Sequence, residues 1–162
     1  MTPDRESAGR CALAALAIIA AVALASCGGS ALDNARATLS TTARVAAAAD
    51  SLAANVIQER VAATESEAEL VREERRAARV VRAFTGVHVA LLAADSTLDA
   101  VATGSLEEST WRDTVACLVP ALLGLVDALE GYGLAEAYAE PIRFAVGALS
   151  VFLGGSCGGG DE

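Results

Sequence analysis

Apolar residues along the chain first run unbroken and then fall into helical steps. Residues 11–25 (CALAALAIIAAVALA) form a 15-residue stretch without a charged or strongly polar side chain. From residue 31 to residue 103 there is no Pro and a single Gly, Gly86, and strong helix formers dominate. Leu70, Ala77, Val81, Phe84, His88, Leu91 and Asp95 recur at steps of 7, 4, 3, 4, 3 and 4, which predicts a heptad-like seam. Residues 31–63 offer mainly Ala, with Leu32, Leu39, Val45, Leu52, Val56 and Val61 as larger apolar points. Ala buries little area, so this stretch reads as a weak core and a stalk. Ser30 is placed to cap its start, with Asp33 in the first turn where the helix dipole favours an acid. One helix over the whole stretch would be about 110 Å long. A break is therefore expected, at Thr41-Thr42 or at Thr64-Glu65-Ser66.

The second half is punctuated. Gly104-Ser105 stops the first segment, and Ser105 with Glu108 has the spacing of a capping box for a helix over 106–130. Gly131-Tyr132-Gly133 predicts a turn, and residues 134–140 open a third helical segment with Pro141 where a first turn tolerates it. Gly154-Gly155 ends that segment, and residues 158–162 should fray. The expectation is an all-α fold. A tether and Ala-rich helical stalk, residues 27–69, leads to a compact antiparallel three-helix head at 70–157, with a tail at 158–162.

The N-terminal run has the character of an address. At ~1.5 Å per residue it spans roughly 22 Å, short of the ~30 Å hydrocarbon core, which fits a secretory leader better than a spanning helix. Ahead of it, Arg5 and Arg10 are offset by Asp4 and Glu6. Directly after it, Leu24-Ala25-Ser26-Cys27 resembles the lipobox of bacterial lipoproteins. That resemblance implies a signal peptide over 1–26, cleavage after Ser26, and lipid on Cys27. Several acyl chains at ~0.8 kcal/mol per buried CH₂ would anchor the chain in effect permanently. By analogy with enteric lipoproteins, Gly28 in place of Asp implies export to the outer membrane if the host is Gram-negative. The localisation expected is therefore the cell envelope.

Composition removes some function classes. A net charge of −9 with 54% hydrophobic residues argues against a disordered tail and against a nucleic-acid partner. All 12 basic residues are Arg. Residues 27–82 hold eight Arg against eight acids, whereas residues 83–162 hold Arg112 and Arg143 against eleven acids. Of the four Cys, Cys11 would leave with the leader and Cys27 would carry lipid. Cys117 and Cys157 remain for an oxidising compartment, and a disulfide between them is expected.

Arg72, Arg75, Arg76, Arg79 and Arg82 fall within about a 120° arc of one helix. This stripe suits an anionic lipid, an acidic protein or a cell-wall polymer. The plainer reading, and the one favoured, is a solvated face balanced by Glu65, Glu69, Glu73 and Glu74; a third is docking on the acidic second half. His88 and Asp95, seven residues apart, would sit about 10 Å apart along a helix, too far for a direct hydrogen bond. No nucleophile elbow, phosphate loop or metal-ligand spacing occurs, so no catalytic residue, cofactor or metal is expected, nor a small-molecule substrate. Trp111 is expected to pack in the core. The apolar stretches 115–126 and 142–153 are each about 12 residues, too short to span a bilayer, and Pro120 should kink the first. The expected function is a non-enzymatic envelope lipoprotein, chromosomal or phage-encoded, acting as a helical binding or scaffolding module. The rival is a lysis or membrane-perturbing protein of spanin-like or holin-like type.

Overall fold

The computed structural model describes residues 30–107, 109–134 and 139–152. The leader, Cys27, Cys157 and the tail lie outside them. The fold is all-α: α1 (Ala31–Ala62), α2 (Glu67–Ala102), α3 (Thr110–Ala116), α4 (Leu118–Tyr132) and α5 (Glu140–Phe152). Ser30 caps α1 as its sequence predicts. Its hydroxyl accepts from the Asp33 amide at 3.2 Å, and the Asp33 carboxylate accepts from the Ser30 amide in return.

The break falls at 63–66, and α1 runs straight through Thr41-Thr42. There each threonine hydroxyl finds a partner within the helix. Thr38, Thr41 and Thr42 donate to the carbonyls of Asn34, Ala37 and Thr38 at 2.8–2.9 Å. Thr38 and Thr42 can therefore be buried without an unpaired polar group.

The Ala-rich segment is not a free stalk. After 63–66 the chain reverses, and α1 lies antiparallel against α2, with Arg36 near its start paired to Asp99 near the end of α2 at 2.6 Å. Ala35, Leu39, Val45, Ala46, Ala49 and Ala53 are buried where α1 packs on the rest of the bundle. Small side chains bury little area each, but they let two helix backbones approach closely, so an Ala face can be a packed face. The expected three-helix head thus gains α1 as a fourth long helix. Going round the core, α1 touches α2, α2 touches α4, α4 touches α5, and α5 touches α1.

The seam of α2 is also shifted. Ala77, Val80, Phe84, Val87, Leu91, Ala94 and Leu98 are buried, at alternating steps of three and four. Ala77, Phe84 and Leu91 agree with the expected seam, but Val81, His88 and Asp95 are exposed and Val80, Val87 and Ala94 take their places. Each replacement is apolar, which spares the core an imidazole and a carboxylate.

Two left-handed glycines end helices. Gly104 (φ 73°) and Gly133 (φ 82°) close Schellman motifs, with Ser105 donating to the Ala100 carbonyl and Leu134 to that of Leu129, each at 2.8–2.9 Å. At the first of these the Leu106 amide also turns back to Ala100, and the Ser105 hydroxyl pairs with Thr103. Ser105 is thus held in the turn instead of capping, and the next helix starts at Thr110 instead of 106. It is interrupted at Cys117, because Pro120 has no N–H to give the carbonyl four residues back; α4 restarts with Pro120 in its first turn. One apolar face nevertheless continues across the interruption through Trp111, Val115, Leu118, Leu122, Leu125 and Leu129, all buried. Pro141, as expected, is in the first turn of α5.

Candidate functional site

The arginine stripe stands on the outer side of the N-terminal half of α2. Arg72, Arg75, Arg76, Arg79 and Arg82 are all exposed, because the apolar seam turns the opposite face inward. Among the described residues, Glu73 alone of the expected balancing acids pairs with the stripe, at 3.8 Å from Arg76. Arg72, Arg75, Arg79 and Arg82 make no ion pair among the described residues. Docking of the stripe onto the acidic second half does not occur among them either. The acids there engage other arginines: Arg143 of α5 bridges Glu130 and Glu140, tying α5 to the end of α4.

His88 and Asp95 are both exposed on α2, away from the core in which they were expected. Among the described residues no group of three or more His, Cys, Asp or Glu could hold a metal ion. Trp111 is in the core, 1% exposed, and the Arg112 guanidinium lies 5.5 Å from the centre of its ring. Cys117 stands exposed between α3 and α4 with no sulfur partner among the described residues.

Sequence reasoning missed a polar junction at the far end of the bundle, where α1, α2 and α4 meet. Arg60 Nη1 donates to the Tyr132 carbonyl at 2.7 Å, and its guanidinium lies 5.0 Å from the centre of the Tyr132 ring. That carbonyl is one of those the helix end leaves without an intrahelical donor. The Tyr132 hydroxyl is buried beside the Glu73 carboxylate without closing a hydrogen bond of normal geometry to it. Burial, and then the neighbouring carboxylate, push its ionisation up from 10.0 to about 12. No local pattern announces this junction; Arg60 and Tyr132 are 72 residues apart.

A pH dependence follows. The folded protein holds the Tyr132 proton more tightly than the unfolded chain does, so its contribution is complete below about pH 10 and is lost as pH rises towards 12. The chain has no Lys, so few other groups titrate in that window. The thermal midpoint should fall between about pH 10 and 12, and Tyr132→Phe should flatten that fall. An identical alkaline slope in both proteins would show that Tyr132 contributes nothing to it.

Both Glu67–Ala102 and Thr110–Tyr132 are long and apolar enough to cross a membrane, by length and composition alone. The second outgrows the 12 residues expected of stretch 115–126 because α3 and α4 together extend it to 23. No family model, curated protein or solved structure matches the chain.

Proposed function

We propose that the chain is a lipid-anchored, non-enzymatic helical binding or scaffolding module of the bacterial envelope, chromosomal or phage-encoded. The observation that carries the binding role is the set of exposed arginines on α2, four of which have no ionic partner among the described residues. Solvent-exposed charge held on a rigid helix can engage an anionic partner without first breaking an internal salt bridge. The anchor rests on Leu24-Ala25-Ser26-Cys27 following a short apolar run. Labelled palmitate should enter the protein and be lost in Cys27→Ser, with precursor accumulating when the lipoprotein signal peptidase is inhibited. An unmodified Cys27 in the mature mass would remove the anchor.

Helix directions support the expected bridge. Because α5 runs antiparallel to α4, its end at Phe152 returns towards the end of the bundle that carries Cys117. Five residue steps then lead from Phe152 to Cys157, a reach of up to about 17 Å. Protein isolated from the envelope without reduction should hold no thiol reactive to maleimide. Reduction or Cys117→Ser should lower the thermal midpoint and leave helicity intact, since a bridge acts mainly on the unfolded ensemble. Two reactive thiols would exclude the bridge.

The two apolar helices keep a second reading open, a spanin-like or holin-like lysis protein. Purified unlipidated protein that releases dye from liposomes would favour it over the binding module.

A further inference from the structure

The outer face of α2 is unusually apolar for a helix side turned to solvent. Val89 is 61% and Val71 42% exposed along its outermost line, with Val81 and Leu92 exposed on one flank. Only 33% of the most apolar stretch of this helix is buried within the bundle. At 100° per residue, Val71, Ala78, Val89 and Ala93 lie on the pole opposite the buried seam, together with Arg75 and Arg82. Val81 and Leu92 lie at one edge together with Glu74, Asp95 and Asp99, and Arg79 lies at the other. Adding a Cβ at Gly86 would meet nothing within 4 Å, so this face is open to close approach.

We infer that this face rests on an anionic lipid surface, with the bundle lying along the membrane instead of standing on end. The inference builds on the reading of Cys27 as the anchor. A lipid surface takes both parts of the face, acyl chains meeting Val71, Val89 and Ala93, and headgroup phosphates meeting Arg75, Arg79 and Arg82 around them. A polyanionic polymer would use the arginines but leave the apolar side chains wet. The tether sets the geometry. Three residue steps from Cys27 to Ser30 reach at most about 11 Å, so the start of α1, and with it the end of α2 held by the Arg36–Asp99 pair, stays near the bilayer. The stripe begins roughly 25 Å further along α2, and meets headgroups only if the helix lies down. Anchoring makes that second contact intramolecular, so even a weak face is populated.

The test is hydroxyl-radical footprinting of the lipidated mature protein in phosphatidylglycerol vesicles, in phosphatidylcholine vesicles and in detergent. Val71 and Val89 should be protected on the anionic vesicles alone, while Leu123 of α4, 46% exposed, reacts equally in all three. The combined Arg75→Gln, Arg79→Gln and Arg82→Gln variant should float with vesicles as before yet lose the protection. Equal reactivity in every condition, or equal protection on both lipids, overturns the inference. So does protection in detergent that grows with protein concentration, which would mean that a second copy covers the face. Flotation and intact mass score the anchor separately, so loss of the lipid is not mistaken for loss of docking.

Discussion

Val87→Asp should unfold the bundle, whereas His88→Asp one position along should leave it folded. Val87 is 0% exposed, in the middle of the α2 seam between Phe84 and Leu91. An aspartate there either loses its hydration with no partner or shifts its pKa and stays neutral, and both routes cost several kcal/mol. A domain of this size has only about 5–15 kcal/mol in hand. His88 is exposed, and its replacement falls in the range of about ±0.5 kcal/mol usual for surface sites. Helicity and urea midpoints of the two variants check this directly. The reverse ranking would restore the seam through Val81, His88 and Asp95.

The second large effect concerns the alanines of α1. Ala46 and Ala53 are each 1% exposed where α1 lies on its neighbours. Enlarging a packed position costs typically about 1–3 kcal/mol, because neighbouring side chains must leave their rotamers or the helices must separate. The two sites are seven residues apart, about 10 Å along the axis, so the penalties should nearly add. The combined Ala46→Leu and Ala53→Leu variant is therefore expected to lose about 2–6 kcal/mol. On a free stalk the same changes would be close to neutral, since Leu is nearly as good a helix former as Ala. A urea midpoint at or above that of the parent would return residues 31–62 to that role.

What could be read from the linear chain is what depends on near neighbours. Helix content, the Ser30 cap, the stop at Gly104 and at Gly133, the kink at Pro120 and the tolerance of Pro141 each follow from a residue acting within one turn of itself. The arginine stripe was legible for the same reason: its arc is a property of one helix. Periodicity also marked α2 as amphipathic, but two neighbouring registers fit a pattern containing Val80, Val81, Val87, His88, Ala94 and Asp95. Only contact with α1 and α4 decided between them, by excluding the imidazole and the carboxylate from the core. The same holds for α1, whose Ala content described a weak face or a close-packed one equally well until the reversal at 63–66 laid it on α2. Arg60, Glu73 and Tyr132 came together for a reason no local window contains. Three helix ends converge there, and a C-terminal carbonyl and a phenol, drawn out of water, meet charged side chains supplied from far along the chain.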